Sequence, residues 1–327
     1  MTSKEFSRRD FLRLIGIGGG AILLNACAPK ILTETAFPPT AIPSASLPSM
    51  GAANATLGGV DVEIALKAVE GEVQILSGKT TRVWRYQGEV MSGPADALQI
   101  VPNSYLGPIF NVKKGQKIRI HFTNELPEPS IVHWHGLHVP VEADGHPRLA
   151  IAPGETYIYD FTVLDRAGTY WYHPHPHGRT GVQAYAGLAG LFLISDDEES
   201  GLGLPSGDYD LPIVIQDRLF DSNNQLLYGG NGMMDQMMGF LGDHILVNGQ
   251  ADFNLPVATR PYRLRLHNGS NSRIYKLGWE DGTPFNIIAT DGGLLEKPLE
   301  KNTITLAPAQ RIEIWVDFSE KEVGSEM

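Results

Sequence analysis

A long internal repeat restricts the fold of this chain more than any other feature of its sequence. Residues 151–161 resemble residues 306–318 at an offset of 155, and residues 117–121 resemble residues 263–267 at an offset of 146. Each copy is large enough for a domain of ordinary size with a hydrophobic core of its own. The repeat therefore predicts two related domains, with a boundary in the acidic, glycine- and proline-rich stretch 196–207.

Strand-like segments recur from residue 58 onward. Short apolar or alternating runs are bounded by Gly, Pro, Asn and Asp, helical periodicity is scarce, and the chain contains 36 Gly and 22 Pro. This pattern is typical of all-β sandwiches. We therefore expect domains at residues 58–197 and 205–327, the second incomplete because the chain stops soon after its last repeated strand. The clearest predicted strands are residues 60–66, 117–122, 157–163, 187–194, 211–216, 262–266 and 303–306.

Residues 1–27 are predicted to be an export signal. A twin-arginine motif at residues 8–9 is followed by an uncharged run that is too short to span a bilayer as a helix. Residues 24–27 resemble a lipoprotein cleavage box, so acylation of Cys27 and simple cleavage nearby both stay open. Residues 28–57, rich in Pro, Ala, Ser and Thr, are expected to form a tether. The expected location is the periplasm or the outer face of the cell membrane, with membrane contact only through a lipid anchor or the export machinery.

The charge of the chain argues against nucleic-acid binding, and its cysteine content excludes disulfides and thiolate ligands beyond residue 27. The formal net charge is −11, and an acidic body of this kind argues against nucleic acid as a partner. The single cysteine, Cys27, lies in the predicted signal. Residues 28–327 can therefore form no disulfide and offer no thiolate ligand.

Two His-x-His pairs carry the chemistry that the sequence predicts. His133 and His135 flank Trp134, and His173 and His175 follow two aromatic residues. On an extended strand the side chains at i and i+2 point to the same face, so two facing pairs would form a four-imidazole pocket. Neutral imidazole suits copper, zinc, iron and nickel, and affinity favours copper. The alternative, buried histidines bonded to backbone carbonyls, is less favoured for two such pairs beside aromatic residues.

The motifs around these pairs resemble the first two copper signatures of the multicopper oxidases. His133-Trp134-His135-Gly136 and Trp171-Tyr172-His173-Pro174-His175 carry the resemblance, which continues through residues 187–194, 248–249 and 291–295. Among members of the family, the bacterial copper-efflux oxidases and laccases look most similar. The resemblance implies tandem cupredoxin-like Greek-key β-sandwiches that bind copper.

The resemblance also implies a role for each candidate residue. His133 would hold a type 2 copper, and His135, His173 and His175 would hold the two type 3 coppers. Asp144 would deliver protons to dioxygen, a task that a carboxylate near a metal performs through water. The alternative role of Asp144 is that of a turn residue before glycine.

The remaining histidines and the methionine-rich segment are expected to lie outside the ligand set. Residues 233–238 contain four of the eight methionines, which are soft ligands for Cu(I), although gap filling by a flexible apolar loop is the favoured interpretation. His177 follows His175 by two residues and would point to the same face of an extended strand, but it lies outside the ligand set of the family. We expect loop positions for His138, His146 and His244, and structural strand positions for His121 and His267, which are equivalent in the repeat.

The predicted function belongs to the intact protein. A type 1 copper requires a cysteine thiolate, and the trinuclear site of the family takes eight histidines, of which four are present here. A third cupredoxin domain, C-terminal to this chain, would supply the rest. The implied activity is one-electron oxidation of phenols or Cu(I), coupled to reduction of dioxygen to water, with the reducing substrate unidentified and this chain alone inactive. The alternatives are a copper-free scaffold or interaction protein of the cell envelope, and a copper-binding module without turnover.

Overall fold

The computed structural model describes residues 58–229, 235, 237 and 239–326. The predicted export signal, the tether and most of the methionine-rich segment lie outside the described residues; of that segment, Asp235 and Met237 are described, and Met237 is exposed. No helix in the described part of the chain is long and apolar enough to cross a membrane.

Residues 58–200, here called the first half, form two sheets around one hydrophobic core. The sheets have the strand orders β2-β1-β5-β7 and β3-β4-β9-β8-β6. The strands are β1 (Val62–Val73), β2 (Thr81–Ser92), β3 (Leu98–Gln99), β4 (Ile109–Lys113), β5 (Lys117–Asn124), β6 (Val132–His135), β7 (Thr156–Thr162), β8 (Gly168–Pro174) and β9 (Gly190–Ser195), with helices α1 (Thr180–Ala186) and α2 (Asp197–Ser200).

Residues 205–326, the second half, repeat part of this arrangement. A seven-stranded sheet has the order β11-β10-β13-β18-β15-β16, with β12 also paired to β10, and β14 pairs with β17. The strands are β10 (Asp210–Phe220), β11 (Leu226–Leu227), β12 (His244–Val247), β13 (Pro261–Asn268), β14 (Tyr275–Leu277), β15 (Phe285–Thr290), β16 (Gly293–Lys301), β17 (Ile304–Leu306) and β18 (Arg311–Asp317). The predicted all-β fold of cupredoxin-like sandwiches is confirmed.

The repeat is visible in the hydrogen bonds around one strand of each half. Strand β5 runs parallel to β1 and antiparallel to β7, and β13 runs parallel to β10 and antiparallel to β18. At the end of β5, Asn124 N–H donates to the carbonyl of Glu155, and Gly154 N–H donates back to Asn124. At the end of β13, Asn268 exchanges the same pair of bonds with Gln310 and Ala309. The resemblance between residues 151–161 and 306–318 therefore reflects one turn used twice.

Strand alternation explains why β6 presents histidines on one face. Val132 and Trp134 are fully buried, and the indole of Trp134 lies 5.2 Å from the ring of Tyr159 and 5.7 Å from that of Phe110. Successive side chains on a strand point to opposite faces. Burial of the aromatic residue between the histidines therefore directs both imidazoles away from the core.

Strand β13 is buried on both faces, and its second face contacts the first half. Tyr262, Leu264 and Leu266 belong to the core of the second half, so the residues between them point the other way. On that other face, Arg265 Nη1 donates to Thr169 Oγ1 of β8 at 3.0 Å. The ring of His267 lies 4.6 Å from that of Trp171, which also belongs to β8.

Candidate metal centre

The pairing of β6 with β8 brings the two predicted histidine pairs together. The strands are antiparallel neighbours, and His133 lies directly opposite His173. His175 N–H donates to the carbonyl of Ile131 at 2.9 Å, which extends the same register by one step. In this register the four histidines occupy every second position of the two chain segments, so their side chains share one face of the sheet. They are His133, His135, His173 and His175. We call these four residues the histidine cluster.

The rings of the histidine cluster are close enough to share metal ions. The ring centroid of His133 lies 5.7 Å from that of His135 and 5.3 Å from those of His173 and His175. Potential ligand atoms of His133, His135 and His173 all lie within 4.8 Å of one another. Metal–imidazole bonds are about 2.0–2.1 Å long, so donors about 4 Å apart can face one ion. The convergence expected from the sequence is therefore present in the structure.

Two backbone carbonyls orient the rings of the cluster. His133 Nδ1 lies 2.7 Å from the carbonyl oxygen of Asp144, and His173 Nδ1 lies 2.9 Å from that of Pro174. Each carbonyl oxygen accepts a hydrogen bond from Nδ1–H, so the lone pair of each ring lies on Nε2. Such an outer hydrogen bond is the usual partner of a metal-binding histidine. The Nε2 of His173 faces Nδ1 of His135 at 3.3 Å.

Burial favours the neutral form of three histidines of the cluster, His135, His173 and His175. It lowers the pKa of His173 to about 3 and that of His135 to about 4, with the neighbouring imidazoles and, for His135, Arg311 lowering them further. The pKa of His175 is also lowered, first by burial and then by His133. A neutral imidazole is the form that binds metal, so near neutral pH a metal ion has no proton to displace from these rings.

One buried nitrogen of the cluster has no hydrogen-bond partner within the described residues. His175 Nδ1 is buried and unpaired. Buried polar side-chain atoms are paired in most proteins, so each exception needs an explanation. Four converging imidazoles, all nitrogen donors, fit copper, and the unpaired nitrogen of His175 agrees with a group that the protein alone does not satisfy.

Asp144 contacts the cluster mainly through its backbone. Its carboxylate Oδ1 lies 3.4 Å from His133 Nδ1, and its side chain is 45% exposed. Gly145, which follows it, has φ +77°, and a Cβ there would lie 1.9 Å from the carbonyl oxygen of Val132. Only glycine fits this close approach of the loop to β6. The turn and the contact with the site are thus two consequences of one loop conformation.

Trp171 and His267 adjoin the cluster, a contact that the sequence does not predict. The ring of Trp171 lies 4.3 Å from His173 and 5.1 Å from His135, and it also contacts His267. His267 is a buried strand residue, as predicted, and burial followed by Arg311 lowers its pKa to about 3. The apolar residues that alternate along β13 would have placed His267 on the face opposite the core of the second half. The equivalence of His267 with His121 in the repeat suggested a purely structural role instead. His121 instead bonds Glu63 at 2.7 Å near the surface.

The other histidines lie outside the cluster. His138 is 85% exposed, as expected, yet its Nδ1 lies 2.5 Å from Asp165 Oδ1, and this hydrogen bond raises its pKa. It lines a cavity of about 660 Å³ that also reaches His135, Tyr170 and Arg311. His146 and His177 are exposed. His244, which was expected in a loop, instead begins strand β12, where it pairs with Arg218 of β10 and is partly exposed.

Comparison with known proteins agrees with the geometry. Residues 82–199 match the sequence model of the multicopper oxidase family. The chain is 39% identical over 254 residues to the multicopper oxidase mco of Staphylococcus aureus, an alignment that covers 78% of this chain and 53% of that protein. It is 34% identical over 284 residues to the cell division protein FtsP of Edwardsiella tarda, with 86% of this chain and 58% of that protein covered.

Similarity extends to solved structures. The crystal structure of the McoA multicopper oxidase of Aquifex aeolicus superimposes with a TM-score of 0.71 at 41% identity, and the match covers 81% of this chain and 56% of that one. The chain spans about half the length of the curated relatives it matches. The paired histidine motifs, the sandwich fold and these matches together place the chain in the multicopper oxidase family.

Proposed function

We propose that this chain supplies four of the imidazoles of a trinuclear copper centre, in an enzyme that couples one-electron oxidation of phenols or Cu(I) to the reduction of dioxygen to water. The observation that carries the proposal is the convergence of four imidazoles, which β6, β8 and the residue after β8 bring together. Bound copper would supply the electron-transfer chemistry. The chain itself would hold the ions, fix the rings and supply a nearby carboxylate.

The proposed roles within the cluster follow the resemblance to the family. His133 is assigned to a type 2 copper, and His135, His173 and His175 are assigned to the type 3 pair. Asp144 is the proposed proton donor, because dioxygen takes up four protons with its four electrons and the carboxylate lies at the edge of the cluster. The type 1 copper and four further histidines are assigned to a third cupredoxin domain C-terminal to this chain, since residues 28–327 contain no cysteine.

The proposed location is outside the cytoplasm. The twin-arginine motif at residues 8–9 supports export, and Cys27 is the proposed point of lipid attachment. Relatives of the chain include both multicopper oxidases and the cell division protein FtsP, so identity alone does not separate an oxidase from a copper-free scaffold. The cluster favours the copper-binding alternatives, because a scaffold gains nothing from four imidazoles directed at one another.

Copper retention by the purified chain tests the first step of this proposal. The chain is loaded with Cu(I) without oxygen, dialysed, and analysed for metal by mass spectrometry. We expect the wild type to retain copper and the double variant His133→Ala/His173→Ala to lose it. The double variant His121→Ala/His244→Ala, which removes two histidines away from the cluster, should retain it. Equal retention by both variants, or none by the wild type, would favour the scaffold.

Oxygen uptake tests the second step. The chain alone should consume no dioxygen with phenols or Cu(I) and should show no blue thiolate-to-copper absorption, because no thiolate is present beyond Cys27. The protein extended by a domain with a His-Cys-His segment should show both. Turnover by the chain alone would refute the proposed division of the site between domains.

A further inference from the structure

One face of β8 carries both a ligand of the proposed copper site and the contacts with the second half. Thr169, Trp171 and His173 are every second residue of β8, so their side chains point to this face. Thr169 Oγ1 accepts a hydrogen bond from Arg265 of β13. Trp171 lies between Thr169 and His173 in sequence, and its ring contacts His173 as well as His267 of β13. The histidine cluster is therefore packed, through one indole ring, against a side chain of the second half.

His267 is a polar residue in a buried position where an apolar side chain would leave no polar atom unpaired. The side chain is 1% exposed, and its Nε2 is buried with no hydrogen-bond partner among the described residues. Its Nδ1 lies 3.3 Å from the carbonyl oxygen of Gln310, a long hydrogen bond that sets the direction of the ring. Buried unpaired nitrogen is destabilising, so an imidazole at this position calls for an explanation.

The acceptor for His267 is itself held in place by the repeated turn. The carbonyl of Gln310 also accepts from Asn268 N–H at 3.0 Å. The side chain of Gln310 accepts from Ala307 N–H at 2.8 Å and closes the turn. The imidazole of His267 is thus tied to a rigid part of the second half on one edge and lies against Trp171 with its ring.

We propose that His267 is a positioning residue for the histidine cluster: held by Gln310, it fixes the ring of Trp171, and Trp171 fixes the imidazoles of His135 and His173. The inference rests on the proposed copper site. His121 occupies the equivalent place of the first half but bonds Glu63 away from the cluster, so it provides a matched control.

The test compares the purified wild-type chain with the variants His267→Ala, His267→Phe and His121→Ala, with Cu(II) as the probe. Affinity is measured by competition with a chelator, the copper environment by electron paramagnetic resonance, and folding by circular dichroism. We expect His267→Ala to weaken Cu(II) binding about tenfold, as removal of an outer-sphere partner does, and to change the hyperfine splitting. His121→Ala should leave both unchanged.

His267→Phe separates the two contacts, because it keeps a ring against Trp171 and removes the bond to Gln310. It should lose less affinity than His267→Ala and still alter the hyperfine splitting. If His267→Ala does not fold, His267→Phe carries the test. A folded variant at this position with the wild-type affinity and spectrum would overturn the inference.

A second measurement keeps this inference separate from the copper proposal. If the wild type binds no Cu(II), the copper proposal fails, but the ring orientations can still be examined without metal. The ¹⁵N resonances of the imidazoles of His135 and His173 should shift in His267→Ala and stay in place in His121→Ala. Unchanged resonances in His267→Ala would refute a positioning role.

Discussion

The same cross-strand ion pair occurs in both halves of the molecule, in two different environments. Arg119 of β5 lies opposite Asp160 of β7, and Arg265 of β13 lies opposite Glu313 of β18. The side chain of Asp160 is 46% exposed, whereas that of Glu313 is 1% exposed. The repeated strands therefore reproduce the pairing but not its surroundings, which depend on what the sheet packs against.

The buried carboxylate, Glu313, also connects the two halves of the molecule. Glu313 Oε1 accepts from Arg265 Nη1 at 2.9 Å and from Thr169 Oγ1 of the first half at 2.7 Å, and Arg263 bonds its other oxygen. Water reaches the carboxylate of Asp160 and screens its pair with the buried Arg119, whereas the buried carboxylate of Glu313 depends on every partner it has. Because Thr169 lies on β8 with His173, this ionic cluster also anchors the strand that carries one residue of the histidine cluster and leads directly to another, His175.

The largest expected effect comes from neutralising the buried carboxylate. Glu313→Gln removes the most buried of three carboxylates around Arg263 and Arg265, while Asp210 and Glu199 still pair with these guanidinium groups, so the free energy of unfolding should fall by about 3 kcal/mol. Asp160→Asn, the equivalent change in the first half, should cost less, about 1 kcal/mol, because water reaches this position although Arg119 itself is buried. Urea titration followed by circular dichroism measures both. Equal losses would show that burial does not distinguish the two pairs.

The lowered pKa of Glu313 makes the stability of the protein depend on pH. Burial alone would raise the pKa of Glu313, but Arg265 and Arg263 outweigh it and hold the pKa below its ordinary value. The unfolded state then binds the proton more readily, so this stabilisation is complete above the ordinary pKa of about 4.3 and is lost as the pH falls through the lower, folded-state pKa.

The measurement is the free energy of unfolding in urea at a series of pH values from neutral to strongly acidic. Below about pH 4.3 the wild type should lose stability more steeply than Glu313→Gln, which has no proton to take up at this position. Parallel curves for the two proteins would contradict a lowered pKa at Glu313.

Local patterns in the sequence predicted the fold class and the convergence of the histidines, because both depend on the period-2 geometry of strands. The spacing of His133 and His135 around a buried Trp134 is enough to place both imidazoles on one face. The contact between Trp171 and His267, and the burial of Glu313, depend on how the two halves pack. No local period encodes that packing, and the repeat itself suggested that His267 and His121 have the same surroundings.

The smallest expected effect concerns the turn that both halves share. Gly154 has φ +83°, and Ala309 takes the same left-handed region with φ +68° at the equivalent place. A Cβ on Gly154 would meet nothing within 4 Å, so Gly154→Ala adds only backbone strain, partly offset by the lower entropy of the unfolded chain. The expected loss is about 1 kcal/mol, measured by urea titration, with wild-type copper retention. A loss as large as that from Glu313→Gln would mean that the two turns are not equivalent, despite their identical hydrogen bonds, and that alanine at position 309 depends on contacts found only in the second half.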